Sequence, residues 1–303
     1  MELQDYHVPV LLNEVLDALN LKTDGLYVDC TFGGGGHSKA LLKRLGKKGK
    51  LLVFDQDDAA RANVPPDERV TFLPYNFRHI QRFLRLHNIE GVDGVMADLG
   101  VSSHQFDDAE RGFSTRFDAA LDMRMDRRTG KMASKVIREY SEQQLHKLFE
   151  QYGEVTNSKT LAKHIVQIRT SQKLETIKEF KNALHDTVKG NPNKYFAQVF
   201  QALRIEVNDE LGSLKEMLLQ LPVILNKDGR VAIISFHSIE DRIVKNFLKS
   251  GNVGDEQDDH DVYGRNQESP FKIITKKPIT ASPEELKLNT RSRSAKLRVG
   301  EKK

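Results

Sequence analysis

Four consecutive glycines, residues 33–36, stand between a short apolar run and an amphipathic segment, and no other feature limits the fold of this chain so strongly. Removing every Cβ from a turn lets the backbone take positive φ angles and lets a ligand come up against the main chain. The preceding run, residues 26–30 (Leu-Tyr-Val-Asp-Cys), reads as a buried strand. Residues 38–45, with Leu41, Leu42 and Leu45 on one face, read as a helix. A strand that turns through glycines into a helix aims the unpaired first amides of that helix at whatever lies above the turn. An ordinary strand-to-helix turn does not need so many glycines, so the loop points to a bound ligand.

The same alternation continues. Residues 51–55, 70–73 and 94–98 read as three further strands. Strands and helices in alternation imply right-handed crossovers and a parallel sheet. Asp55 ends the second strand, where a carboxylate can accept hydrogen bonds from both ribose hydroxyls of an adenosine. Glycine loop and carboxylate together indicate a nucleoside-containing cofactor, either a dinucleotide or S-adenosylmethionine. The dinucleotide fingerprint wants a third glycine for close helix packing, but counting from Gly33 that place holds Ser38, and from Gly34 it holds Lys39. A nicotinamide-dependent oxidoreductase is therefore the weaker reading.

From about Ser141 the pattern becomes purely helical. Ser141 with Gln144 and Thr176 with Glu179 form capping-box starts. Leu145, Leu148, Phe149 and Tyr152, then Leu161, Ile165 and Ile168, then Ile177, Phe180, Leu184 and Val188 fall at helical spacing, and residues 195–219 read as one long helix. Strand signals return at residues 230–235, 271–275 and 296–299, while the polar stretch 251–270 reads as a loop. A chain of 303 residues with a single cysteine, Cys30, can form neither an intrachain disulfide nor a cysteine-rich metal site. No stretch approaches the roughly 18 apolar residues of a membrane span, and residues 1–12 lack the pattern of a secretory signal, so the expected compartment is the cytoplasm. The net charge of +4 is mild, but Arg291, Arg293, Lys296, Arg298, Lys302 and Lys303 concentrate positive charge at the end of the chain, and residues 255–261 are acidic. Such a basic tail is either a solvated terminus or an edge that meets phosphates.

Longer motifs carry a more specific signal. Asp98 opens Asp98-Leu99-Gly100-Val101-Ser102-Ser103, followed by Gln105 and by residues 107–114 (Asp-Asp-Ala-Glu-Arg-Gly-Phe-Ser). Residues 121–126 (Leu-Asp-Met-Arg-Met-Asp), 197–208, 235–242 (Ser-Phe-His-Ser-Ile-Glu-Asp-Arg) and 291–298 come after it. With His7-Val8-Pro9 near the start, this set resembles the bacterial 16S ribosomal RNA cytosine-N4 methyltransferase family (RsmH, formerly MraW) over essentially the whole chain. The resemblance implies an α/β class I (Rossmann-like) S-adenosylmethionine-dependent methyltransferase sheet with an inserted helical domain. It divides the chain into 1–112 and 211–303 for the methyltransferase domain, the second part with the basic tail, and 113–210 for the insertion. It implies S-adenosyl-L-methionine as cofactor, 16S ribosomal RNA or the small ribosomal subunit as partner, and no membrane. It also implies that Gly35, Gly36, His37, Asp55, Phe77, Asp98 and Gln105 meet the cofactor. Read singly, His37 opens a helix, Phe77 is core and Gln105 is a loop residue; their joint match gives them the functional role.

The chemistry is consistent with this set. A sulfonium methyl is already electrophilic, so alignment and exclusion of water are what a protein must add, and no metal is required. Methylation at the C5 ring carbon usually needs a cysteine nucleophile, whereas Cys30 lies within the first strand, so direct attack by an exocyclic atom is expected. Asp98 is placed first as a cofactor contact and second as the catalytic proton acceptor. The Asp-Pro-Pro-aromatic motif of many amino-group methyltransferases is absent at Asp98-Leu99-Gly100-Val101. Ser238 and Asp241 read as a helix capping pair rather than parts of a hydrolase. A non-catalytic RNA-binding assembly factor remains the second alternative.

Overall fold

The computed structural model describes residues 9–128, 130–254 and 268–303. His7, Val8 and the acidic stretch 255–261 lie outside the described residues, as does most of the polar stretch 251–270. The strands are β1 (Leu26–Asp29), β2 (Lys50–Phe54), β3 (Val70–Leu73), β4 (Val92–Asp98), β5 (Leu225–Ser235), β6 (Phe271–Ile273) and β7 (Lys296–Lys302). The first helices are α1 (Leu12–Ala18), α2 (Gly36–Arg44), α3 (Ile80–Leu86), α4 (Ser103–Asp107), α5 (Ala133–Glu139) and α6 (Glu142–Gln151). They are followed by α7 (Ser158–Ile168), α8 (Ile177–Ala183), α9 (Pro192–Asn208), α10 (Glu210–Ile224), α11 (Ser238–Ser250) and α12 (Pro283–Leu288). Among the described residues no helix is long and apolar enough to cross a membrane.

The chain splits into two compact units, residues 1–100 with 212–303, and residues 101–211. In the first, one seven-stranded sheet has the order β3-β2-β1-β4-β5-β7-β6. Strands β1 to β5 pair in parallel, and β7 runs antiparallel to both β5 and β6. This is the class I methyltransferase sheet that the resemblance implied. Period-two alternation sends successive residues to opposite faces, and both faces are buried. Val28, Leu52, Phe54, Val95, Ala97, Val231 and Ile233 pack with α3, α10 and α11 through Leu84, Met217 and Phe247. Tyr27, Leu51, Val53, Met96, Ala232 and Ile234 pack with α1 and α2 through Val15 and Leu41. A strand covered on both sides has little use for polar residues, which is why these strands read as short continuous apolar runs.

Two sequence expectations change here. The basic end of the chain is not a free tail: Arg291 and Arg293 lie in a 3-10 turn, and Lys296, Arg298 and Lys302 lie on β7, the strand expected at 296–299, which is interior to the sheet. β7 inserts between β5 and β6, Arg298 is buried, and its guanidinium holds Asp241 at 2.6 and 3.2 Å. Lys296 reaches the same carboxylate at 3.4 Å, and Lys302 donates to the carbonyl of Leu225 at 2.5 Å. Lys296, Arg298 and Lys302 share one face of β7, but Lys296 and Arg298 are drawn to Asp241 and Lys302 to a backbone carbonyl, so the run of charge is not a free patch. The long helix expected over residues 195–219 is two helices, because Asp209 takes a left-handed conformation (φ 46°) and ends α9. An aspartate tolerates that region better than a branched residue.

The second unit is helical and has its own core, in which Leu145, Phe149, Leu161, Ile165, Phe180, Val199 and Leu203 are buried. Both expected capping boxes are present, at Ser141–Gln144 and Thr176–Glu179. The unit begins at Val101 rather than at residue 113, since Val101, Phe106 and Phe113 all pack on the helical core. The motif at residues 121–126 meets the end of α9. Asn208 accepts from the Met125 amide at 2.7 Å and donates to the Met123 carbonyl at 2.8 Å, pinning a backbone that turns left-handed at Met123 (φ 62°).

Candidate active site

In a parallel sheet with right-handed crossovers, ligands bind beyond the carboxyl ends of the strands where the strand order reverses. β1 and β4 are neighbours there, so the glycine loop after β1 and the end of β4 lie side by side at the site of such a crevice. Each glycine serves a different end. Gly33 and Gly35 take positive φ (51° and 74°), which few side-chain-bearing residues do. A Cβ on Gly35 would lie 2.8 Å from the Phe32 ring, and one on Gly36 would lie 2.3 Å from Pro9 Cγ. Gly34 alone has neither constraint: φ is ordinary, and a Cβ there would meet nothing within 4 Å. Nothing in the protein's own packing asks for glycine at this position, so the open face above it is where a ligand would lie against the backbone. The first turn of α2 follows directly, with no side-chain cap on its amides.

Asp55 is held against this loop. Its Oδ2 accepts from the Gly33 amide at 2.7 Å and its Oδ1 from the Asp57 amide at 2.8 Å. Each carboxylate oxygen has a second lone pair, so both can still accept from a pair of hydroxyls. Burial pushes this carboxyl up to about 6, against the lowering effect of the two amides. Asp98 ends β4. Its amide donates to Thr31 Oγ1 at 2.6 Å, which locks the end of β4 to the start of the glycine loop. Its side chain keeps 27% exposure, yet Oδ1 itself is buried with no hydrogen-bond partner among the described residues. Burial, followed by the nearby negative charges of Asp29 and Glu240, raises this carboxyl to about 6, while His37 pulls the other way.

His37 is buried. Its Nε2 lies 2.9 Å from the Val10 carbonyl, which can only accept, so that nitrogen carries the proton. Its Nδ1 then faces Asp98 Oδ2 at 3.9 Å. Phe77 is half-buried on the core between the sheet and α3, just after β3. Asn76 ties it toward Asp55 by donating to Gln56 Oε1 at 3.0 Å. The first unit thus brings together Gly35, Gly36, His37, Asp55 and Asp98, with Phe77 one strand further along. Gln105 belongs to the helical unit, where it is buried and closes a capping box with Ser102 at 3.1 and 3.2 Å.

Residues that sequence reasoning passed over complete the site. Asp29, buried at the end of β1, accepts from Ser38 Oγ at 2.6 Å and from the Thr31 amide at 3.0 Å, clamping both ends of the glycine loop. Burial raises its carboxyl. An acid at the end of an otherwise apolar strand was the available signal, since carboxylates are rarely buried without a task. The capping pair at the start of α11 is His237 with Glu240, not Ser238 with Asp241. His237 accepts from the Glu240 amide at 3.4 Å, and Glu240 Oε2 accepts from the Phe236 amide at 2.9 Å. Asp241 is instead taken by Arg298, which the tertiary fold brings to it. Cys30 is buried, and burial raises its thiol well above the usual range, so a nucleophilic thiolate is disfavoured there.

The donor set suits a cationic nucleoside. Asp29, Asp55, Asp98 and Glu240 gather negative potential, the Gly34 face admits a planar or extended group, and the orphaned Asp98 oxygen awaits a donor or a positive charge.

Comparison with known proteins places the chain. The model of the MraW methylase family matches residues 4–303. A protein of Flavobacterium johnsoniae named ribosomal RNA small subunit methyltransferase H is 52% identical over 299 residues, covering 98% of each chain. A protein of the same name from Bacteroides fragilis is 51% identical over 299 residues, again with 98% of each chain covered. A third, from Bacteroides thetaiotaomicron, is 50% identical with the same coverage.

Proposed function

The chain belongs to the MraW methylase family, and from that membership we propose that it transfers a methyl group from S-adenosyl-L-methionine to the exocyclic N4 of a cytidine in small-subunit (16S) ribosomal RNA. It is an rRNA methyltransferase of the class I fold, and its working compartment is the cytoplasm, where small subunits assemble. The oxidoreductase alternative gives way to the family match, and an assembly role without catalysis would leave the open face at Gly34 and the unpartnered Asp98 oxygen without a purpose.

When bound, S-adenosylmethionine supplies an electrophilic methyl on a sulfonium. Gly35, Gly36 and the amides opening α2 would form the cradle, and Asp55 would accept from the ribose hydroxyls through its remaining lone pairs. Asp98 stabilises the donor's positive charge, with His37 fixed beside it by the Val10 carbonyl. Phe77, just after β3, would flank the cofactor on the first unit. Cytosine N4 is a weak nucleophile, because its lone pair is delocalised, and it must lose a proton as it is alkylated. A carboxylate with an unpartnered oxygen at the end of β4 is suited to receive that proton, and Asp98 is the residue proposed for it. The target base leaves its stack to reach the crevice. The observation that carries this reading is the pairing of the Gly33 amide with Asp55 at 2.7 Å beside an open Gly34 face. The test supplies methyl-labelled donor and small subunits lacking the modification, followed by nucleoside mass spectrometry. Label in N4-methylcytidine is expected; label in a uridine or in protein would overturn the assignment.

A further inference from the structure

Helices α3 and α10 of the methyltransferase unit leave an open groove of about 430 Å³, lined by Arg78, His79, Gln81, Arg82, Arg85 and Gln220 together with Leu86. Three arginines line it and no acid does. Arg82 and Arg85 stand three residues apart on one side of α3, and Arg78 precedes them in the 3-10 turn Phe77–His79. Arg78 is spent on Glu216 of α10, which it holds in a fork at 2.7 and 3.1 Å. Arg82 and Arg85 are exposed and, among the described residues, take part in no ion pair. The floor is rigid, because Gln220 donates to the Arg78 carbonyl at 2.7 Å and accepts from the Gln81 amide at 3.0 Å.

We propose that this groove grips the sugar-phosphate backbone of the RNA. The proposal rests on the reading of the protein as an RNA methyltransferase. Two unpaired guanidiniums at adjacent helical positions, held over a fixed floor, match the planar, bidentate recognition of phosphate oxygens. The basic end of the chain cannot do this work as a block, since Lys296 and Arg298 are committed to Asp241. Arg82 and Arg85 on α3 have no such acid and remain available to a polyanion.

The test measures binding of the full-length protein to small subunits and to a naked 16S fragment over a range of salt, for wild type, R82A/R85A and a control, K47A/K48A, which removes equal charge from the exposed turn after α2. Neutralising two phosphate contacts should weaken RNA binding roughly three- to ten-fold and lower the slope of log affinity against log salt by about 1.4–1.8. Affinity for S-adenosylmethionine, thermal unfolding and kcat at saturating RNA should stay at wild-type values, with KM rising. The control should match wild type. Unchanged affinity and slope in R82A/R85A overturn the proposal, as does an equal loss in the control. Weaker binding to subunits alone, with the naked fragment unaffected, assigns the groove to a ribosomal protein and also overturns it. A wild-type protein that neither binds nor methylates RNA would sink the underlying reading instead, a separate outcome.

Discussion

Gly34→Ala separates a glycine needed by the fold from one needed by a ligand. An added Cβ at Gly34 meets no atom within 4 Å, and the backbone there is not left-handed, so the folded protein bears no penalty. Alanine also has less freedom to lose on folding, which favours the variant by about 0.4–1 kcal/mol and raises Tm by about 1–3 °C. If the open face holds the donor, the same methyl intrudes on atoms packed against the loop. Overpacking of that kind costs about 1–3 kcal/mol, which is about 5- to 150-fold in Kd. The neighbours behave differently. Gly35→Ala meets both a left-handed φ of 74° and the Phe32 ring at 2.8 Å, and Gly36→Ala drives a methyl to 2.3 Å from Pro9, so both should unfold at lower temperature without any ligand. Calorimetric titration of S-adenosylmethionine with thermal melts of the apo protein reads both quantities. Gly34→Ala binding the donor as tightly as wild type would refute the placement of the cofactor, however well the rest of the site agrees.

The raised carboxyls give a pH dependence. Asp55 and Asp98 titrate near 6 in the free protein, and a cationic donor favours their ionised forms, so donor affinity should climb as pH rises from 5 to 7 and level off above. Asp55→Asn should weaken binding and flatten that rise, with a slope unaltered from wild type counting against the role of Asp55. For the free protein the sign reverses: a folded carboxyl held above its unfolded value favours folding below the unfolded pKa, and that contribution is lost as pH climbs through 6. Asp241 behaves oppositely. Burial alone would raise it, but Arg298 and Lys296 bring it below the usual carboxylate range, so its contribution is present at neutral pH and disappears as pH falls through its folded value. Asp241→Asn should cost about 1.5–3 kcal/mol by urea unfolding at pH 7, with the deficit shrinking in acid; a constant deficit would contradict the ion-pair account.

Local signals carried much of the site. The glycine run, the acid at the end of the second strand and Asp98 at the end of the fourth were all legible, because a strand's carboxyl end and the turn after it are adjacent in sequence. Asp29 and Ser38 escaped notice since their partnership spans the loop, closing at 2.6 Å only once the turn has formed. Glu240 was overlooked for a similar reason. The expected capping pair was Ser238 with Asp241, but Arg298 takes Asp241, and His237 with Glu240 opens α11 instead.

The sequence by itself determined the alternation of strand and helix, the parallel core, the glycine cradle and the two capping boxes of the helical unit, because each depends on periodicity or on neighbours a few residues apart. The tertiary structure alone decided what the charges do. Placing β7 between β5 and β6 committed Arg298 to a largely buried ion pair with Asp241, and the packing of α3 left Arg82 and Arg85 exposed, with no ion pair among the described residues. Coulomb interactions depend on distance and on access to water, and neither is fixed until distant segments have met.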